Sequence, residues 1–301
     1  MKVNICICTY RRPSLYETLT SLEAMVIPSG IELSIIIADN DETPTGLPLV
    51  ETFVNTSHLD IRYLHAPKQN ISIARNACLD ACDGEWIGFI DDDETVDINW
   101  LNAMTSAIKH NQHDIFLGPV EATYNNKVSA RWMLDGAFHD TKPTFRAGEI
   151  CSGYTCNVLI RYTDTKVKSL RFDQRFGRTG GEDTFLFEKL KRYGLSMTYI
   201  EDAVVFEPVP KERSSLTWLV KRRFRFGQTH ARVILENRDN IKVRIQLVTL
   251  ASFKALFCYV VALLSAFHPI KWRKWTIRGA LHIGVLSRLI KNKDIELYGH
   301  A

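Results

Sequence analysis

Three consecutive carboxylates, Asp91, Asp92 and Asp93, stand directly after an apolar run at residues 86–90. Carboxylates this close repel one another, so they need water, a cation or an incoming hydrogen-bond donor between them. All-oxygen ligand sets suit Mg²⁺ or Mn²⁺, and Mg²⁺ is usually held by one or two carboxylates together with substrate phosphates. Two further acidic clusters share this character. Asp39-Asn40-Asp41 ends an apolar run at residues 33–38, and Glu182-Asp183 follows Gly180-Gly181 at the start of a helical pattern. A helix dipole favours a carboxylate at its N-terminus by roughly 0.3–1 kcal/mol, which accounts for one acid there better than for two. Taken alone, the 91–93 stretch reads equally as a metal–phosphate site or as a solvated acidic turn.

The elements that must position these acids follow from periodicity. Residues 86–90 are too few for a helix, are rich in aromatic and branched side chains and follow Gly84, so they read as a buried strand. Residues 3–8, 33–38 and 61–65 read as further strands. Leu15, Leu19, Leu22 and Val26 recur at helical spacing after Pro13, which suits a first helical turn, and Pro28-Ser29-Gly30 ends that helix. Ala74, Cys78, Ala81 and Cys82 mark one face of a small-residue helix stopped by Asp83-Gly84. Residues 97–110 form another helix, with Asp97 as its cap and Trp100, Leu101, Met104 and Ile108 inward. Residues 114–120 and 158–161 are strand-like, 123–150 are irregular, and 196–206 read as a closing strand. Alternating strands and helices predict an α/β fold with a mostly parallel, doubly wound sheet, whose ligands collect beyond the carboxyl ends of the strands.

The chain has 301 residues and is 46% hydrophobic, enough for a large core and against disorder. No secretory signal precedes the first strand, and seven scattered cysteines form no metal-ligand repeat, so reduced thiols in the cytosol are expected. Residues 211–301 hold 18 Lys/Arg against 5 Asp/Glu, whereas the rest is net acidic. Within this basic tail, residues 247–267 are apolar for about the 20 residues that a bilayer span needs. Lys254 interrupts them, and Lys271, Trp272, Arg273, Lys274 and Trp275 follow, an interfacial pattern. Three readings stay open: an amphipathic or monotopic membrane attachment, a buried helical subdomain, or a single span. Nucleic acid is not expected, since the cations flank an apolar run rather than a polar groove.

Four motifs occur in order: ICTYRR (residues 7–12), IIIADND (35–41), ISIARNACLDACDGEWIGFIDDDE (71–94) and GGEDTFLFEKL (180–190). Together they resemble the family 2 inverting glycosyltransferases of the nucleotide-sugar (GT-A) fold, and within these the bacterial enzymes that build exopolysaccharides such as succinoglycan on a lipid carrier. The resemblance covers about residues 1–230, a catalytic domain, followed by the basic, apolar helical extension at 231–301. It implies a UDP-sugar donor (or a dTDP-sugar), Mg²⁺ or Mn²⁺, and a polyprenyl-diphosphate-linked saccharide acceptor at the cytoplasmic face of the inner (plasma) membrane, with peripheral or monotopic attachment. Asp91 and Asp93 would form the DxD motif, Asp93 as direct metal ligand and Asp91 nearer the ribose and diphosphate, with Asp92 between them. Asp183 would be the general base and Glu182 its support. Asp39 would read the N3–H of the base, with Asn40 sharing that contact through its amide oxygen. Thr9, Tyr10 and Arg11 would wall the nucleotide pocket, and Arg75 would contact the nucleotide. Glu207 stands where many relatives carry a His, and Arg213 is a further candidate for the diphosphate. His65, His139 and His230 read as structural. Two other functions compete: a nucleotidyltransferase, disfavoured by a loop after the first strand with two Arg but no Gly, and a non-catalytic membrane-surface module.

Overall fold

A computed structural model describes residues 1–125 and 131–290. Parts of the irregular 123–150 segment and of the 231–301 extension lie outside those residues. In chain order the elements are β1 (Lys2–Thr9), α1 (Leu15–Ala24), β2 (Glu32–Asp39), α2 (Leu47–Val54), β3 (Asp60–His65), α3 (Ile71–Ala81), β4 (Trp86–Asp91), β5 (Thr95–Val96), α4 (Trp100–His110), β6 (Ile115–Leu117), β7 (Val120–Thr123) and α5 (Arg131–Asp135). They continue with β8 (Phe145–Arg146), β9 (Glu149–Ile150), β10 (Asn157–Arg161), α6 (Thr165–Ser169), α7 (Glu182–Arg192), β11 (Met197–Tyr199), β12 (Val205–Pro208), α8 (Leu216–Asn237), α9 (Ile241–Leu264) and α10 (Lys271–Ile290).

The main sheet runs β11-β6-β10-β4-β1-β2-β3. Its strands pair in parallel except at β10, which is antiparallel to both β4 and β6. Strands buried on both faces have near-continuous apolar sequences, and β1, β2 and β4 do. Ile5, Ile7, Ile35 and Ile37 point to one face, where Leu15, Leu19 and Leu22 of α1, Phe53 of α2 and Trp100 and Met104 of α4 cover them. Cys6, Ile36, Ala38 and Phe89 point to the other, covered by Ala74, Cys78 and Leu79 of α3 and Phe187 and Leu190 of α7. The sheet is therefore doubly wound, as the alternation predicts. All seven cysteines are free.

Several boundaries differ from the sequence reading, each for a local reason. Residues 114–120 split at Gly118-Pro119: β6 stays in the main sheet, and β7 enters a second sheet, ordered β5-β12-β7. Residues 196–206 split likewise into β11 and β12, one in each sheet, around a turn at 201–203. Asp97 does not cap α4, whose N-cap is Asn99; the Asp97 carboxylate accepts from the Asn99 N–H one step earlier. Val26 lies beyond the end of α1 and is exposed. Helix α2 has no counterpart in the periodicity reading.

One buried amide pins the junction between the two sheets. Asn157, fully buried on β10, accepts from Trp100 Nε1 (2.9 Å) and donates to the carbonyls of Pro119 and Ala203 (2.8 Å each). At the far end, α8 runs through residue 230 and crosses α10 closely. A Cβ at Gly227 would meet Leu281 O at 1.9 Å, and one at Gly284 would meet Phe224 O at 1.9 Å. Helix α9 reverses the usual soluble pattern. Its small residues Ala251, Ala255, Cys258 and Ala262 are buried, while Phe253, Leu256, Leu263 and Leu264 face outward. The reading of the tail as a buried subdomain therefore does not hold for α9.

Asn157→Ala leaves the Trp100 indole N–H and the Ala203 carbonyl without the amide, at roughly 1–3 kcal/mol each, while the Pro119 carbonyl keeps the Val205 N–H (3.1 Å) and loses one of two donors. Chemical denaturation is expected to show a loss of about 3–5 kcal/mol; a loss below about 1 kcal/mol would show that the junction does not depend on this amide.

Candidate active site

The strand register brings the acidic clusters to one edge. Thr9 pairs with Asp39 across β1–β2, and Cys8 pairs with Asp91 across β1–β4. The tips of β2 and β4 thus flank β1, about 10 Å apart over two strand spacings. Thr9 joins them: its carbonyl accepts from the Asn40 N–H (2.8 Å), and its hydroxyl donates to Asp92 Oδ2 (2.8 Å).

Glu182 and Asp183 arrive from the opposite side, on the first turn of α7. Gly180 and Gly181 both adopt positive φ, +82° and +98°. A Cβ on Gly181 would also stand 2.2 Å from Thr229 Cγ2 of α8. The double glycine therefore lets the chain turn sharply into α7 beneath α8, aiming both acids at β4. Glu182 and Asp91 share one partner, Arg75 of α3. Its guanidinium is buried, forms an ion pair with Glu182 Oε1 through Nη1, and lies 3.7 Å from Asp91 Oδ1 through Nη2. The Arg75 side chain is 8% exposed and that of Glu182 5%, so this is an interior ion pair. Glu182 Oε2 is buried with no protein partner.

The electrostatics mark a strongly acidic cleft. Burial pushes Asp91 up to about 6, Arg75 opposes this, and the charges of Asp93 and Asp183 add to it. Burial and Asp93 raise Asp92 to about 7 despite the Thr9 hydrogen bond. Glu94, buried, is driven well above the carboxylate range by burial and by Asp91, while its Oε2 accepts from the Asp91 N–H (2.9 Å). Arg12 Nη1 donates to Asp93 Oδ2 (3.0 Å). Asp183, half-buried, accepts at Oδ1 from the Thr184 N–H (2.6 Å). Among the described residues, no three His, Cys, Asp or Glu side chains close on a common point as a ready cation cage. The hard oxygens of Asp91 and Asp93 nonetheless fit Mg²⁺ or Mn²⁺, which need only one or two carboxylates when phosphates complete the shell.

The β2 side is more closed. Asp39 is fully buried, and its carboxylate accepts from the Asp41 N–H (3.0 Å), the Gly46 N–H (2.7 Å) and the Tyr63 hydroxyl (2.6 Å). The amide oxygen of Asn40 accepts from the Asn70 N–H (2.9 Å). Arg11, at φ +54°, donates from Nε to buried Asp41 (2.8 Å), which it holds below the usual carboxylate range. Its guanidinium also lies 5.2 Å from the Tyr10 ring, and the Tyr10 hydroxyl is buried without a protein partner. His139 is structural as expected: buried, it meets the Tyr124 hydroxyl (2.7 Å) and Arg213 O (3.1 Å).

Sequence reasoning overlooked Arg12, Tyr63 and Glu94. Glu94, one residue beyond the acidic triplet, had a visible signal. Tyr63 did not, because its partner Asp39 is distant in the chain.

A nucleotide-sugar crevice of this form, with acids at β4 and at α7, is that of a GT-A glycosyltransferase. Residues 4–177 match the family model described as glycosyl transferase family 2, and the chain belongs to that family. It is 42% identical over 299 residues to the succinoglycan biosynthesis protein ExoM of Rhizobium meliloti, covering 99% of this chain and 96% of that protein. A mannosyltransferase from Pyrobaculum calidifontis, solved with GDP-Man and Mn²⁺, superposes with a TM-score of 0.62 at 17% identity, over 97% of this chain and 88% of that one. Residues 1–349 of Staphylococcus aureus TarS, solved with UDP, superpose with a TM-score of 0.54 at 16% identity, over 95% of this chain and 91% of that one. The nucleotidyltransferase and non-catalytic readings are thereby set aside: the protein is a glycosyltransferase.

The raised carboxylates predict a pH signature. Unfolded Asp92 titrates near 3.9, and folded Asp92 at about 7. Between these values the folded state keeps a proton that the unfolded state has released, so stability falls as pH rises through that window. In EDTA, Asp92→Asn is expected to raise Tm above wild type at pH 8 and to converge with it near pH 4. A gain independent of pH would contradict the shift.

Proposed function

We propose that the protein transfers a sugar, with inversion, from a UDP-sugar to a lipid-linked saccharide during exopolysaccharide synthesis, in a metal-dependent reaction at the cytoplasmic face of the membrane. The observation that carries this reading is the gathering of Asp91, Glu182 and Asp183 around buried Arg75. Asp91 and Asp93 would hold Mg²⁺ or Mn²⁺, with Asp93 the direct ligand. When bound, that cation would supply Lewis-acid neutralisation of the leaving diphosphate.

The remaining work belongs to the chain's own side chains. Asp183 is half-buried at the cleft, across from the β4 acids, where a carboxylate can take a proton from an acceptor hydroxyl as it attacks. Glu182 is tied to Arg75 and so orients the first turn of α7 rather than exchanging protons itself. Arg75 holds the two acidic sides of the cleft at a fixed separation. Thr9, Tyr10, Arg11, Asp39 and Asn40 form the nucleotide side. Asp39 already satisfies three donors, so its contact with a uracil N3–H uses the remaining acceptor capacity of Oδ1. The unpartnered Tyr10 hydroxyl supports this placing, because a buried polar atom favours a partner.

Membrane attachment is supported by α9, which has a mean hydropathy of 2.1 over its most apolar window, of which 17% is buried. Its outward Phe and Leu side chains lead to exposed Phe267 and then to Lys271, Trp272, Arg273 and Lys274. This order suits a helix lying in the interface with its cations among headgroups. Residues 231–301 are then a membrane-attaching extension of the catalytic domain.

Asp183→Asn is expected to keep UDP and Mn²⁺ affinity within about twofold while lowering transfer by at least about 10²-fold, since general-base catalysis supplies about 10²–10⁴. Radiolabelled transfer from UDP-sugars to membrane extract reads the second quantity and calorimetry the first. Near-normal turnover in this variant would remove Asp183 from the role of base.

A further inference from the structure

Guanidinium groups and aromatic rings alternate along α8, starting at the acidic cleft. Arg213, in the turn before α8, donates from Nη1 to Glu207 Oε1 (3.0 Å) and lies 5.8 Å from the centre of the Trp218 ring. Arg222, one helical turn beyond Trp218, lies 5.3 Å from the same ring and 5.4 Å from Phe226. Two cations therefore share one indole, and Glu207 is the one carboxylate within ion-pair distance of either among the described residues. Burial lowers the Arg222 pKa, with Glu207 opposing the effect and Arg213 adding to it. A half-buried cation with so little neutralisation favours an anionic partner.

The position of this pair indicates which anion. On one side, Glu207 feels the charges of Asp93 and Asp91, so the pair adjoins the acidic cleft. On the other side, Leu219 of α8 packs with Val209, Tyr124, Met133 and Ile277 of α10 in one apolar cluster, and Trp132 and Trp218 lie against it. Trp132 in turn lies 4.7 Å beneath the Arg273 guanidinium, at the basic, aromatic start of α10. The cation pair thus stands between the site of transfer and the segment proposed to rest at the bilayer interface. A planar guanidinium fork matches phosphate oxygens bidentately, and Trp218 fixes both forks in place.

We propose that Arg222 and Arg213, held by Trp218, bind the diphosphate of the prenyl-linked acceptor, so that its lipid chain stays in the membrane while its terminal sugar enters the cleft. This inference rests on the transferase reading above and adds the acceptor's anchoring residues to it. The shared chemistry is a diphosphate ester, which the donor nucleotide also carries, so the test separates the two sources.

Full-length wild type, Arg222→Gln, Arg213→Gln and Arg222→Lys are titrated with geranylgeranyl diphosphate in detergent micelles and, separately, with UDP plus Mn²⁺. Each Gln variant is expected to bind the prenyl diphosphate about tenfold more weakly, the loss of one charge-assisted contact, with UDP affinity within twofold of wild type. Arg222→Lys should fall between, keeping the charge but not the fork. Wild type should bind geranylgeranyl monophosphate more weakly than the diphosphate. Loss of UDP binding alone, equal loss of both ligands, or no loss of either overturns the assignment. If Arg222→Gln does not fold, Arg213→Gln, on a partly exposed turn, carries the same expectation. Failure of wild type to bind UDP would instead refute the proposed UDP-sugar donor, and the prenyl diphosphate titration would still stand on its own.

Discussion

The guanidinium of Arg75 is the constraint on which the active cleft depends. It is almost fully buried, contributed by α3, and set between Glu182 of α7 and Asp91 of β4. Taking such charges out of water costs several kcal/mol per ion, and only a well-formed pair offsets it. Removing either partner would leave an uncompensated interior charge. The arrangement therefore fixes the relative positions of α3, α7 and β4 more strictly than apolar packing alone would. The neighbouring cations do not span the two walls: Arg12 reaches Asp93 from the exposed loop after β1, and Arg11 is occupied by Asp41.

Around that pair the fold divides its tasks. The apolar β1, β2 and β4 bring Asp39 and the 91–93 acids to one edge, and Thr9 binds both tips through its two oxygens. The smaller β5-β12-β7 sheet carries Glu207 to the rim, and Asn157 fastens it to the main sheet. Helices α8 and α10 cross at facing glycines and position α9, whose large apolar side chains turn away from the protein. From Glu207 the contacts run through Arg213 and Trp218 to the apolar cluster around Leu219, which Trp132 joins from beneath Arg273.

Much of this was legible in the sequence, because strand ends and helix starts are local. The run before Asp91, the Gly-Gly turn before Glu182 and the strand–helix alternation each depend on a few neighbouring residues, and the structure contains all of them. What escaped the reading is what depends on distant partners. The antiparallel insertion of β10 between β4 and β6 leaves no periodic trace in residues 157–161. The splitting of residues 196–206 follows from two sheets competing for one stretch, and no propensity within the stretch announces it. Tyr63 resembles any strand aromatic until its hydroxyl is seen on Asp39. The amide oxygen of Asn40 likewise has its partner, the Asn70 N–H, 30 residues away. For α9, composition alone left membrane and core readings open; the structure adds that its alanines turn inward and its large apolar side chains outward.

The central claim is that the two acidic walls perform different work: the β4 acids bind the cation and the α7 acid accepts the proton. Electron paramagnetic resonance of Mn²⁺ titrated into the protein with UDP tests this directly, comparing Asp93→Asn with Asp183→Asn. The account predicts that Asp93→Asn abolishes the bound-Mn²⁺ signal and that Asp183→Asn leaves it as in wild type. Wild-type Mn²⁺ binding by Asp93→Asn, or its loss in Asp183→Asn, would contradict that division.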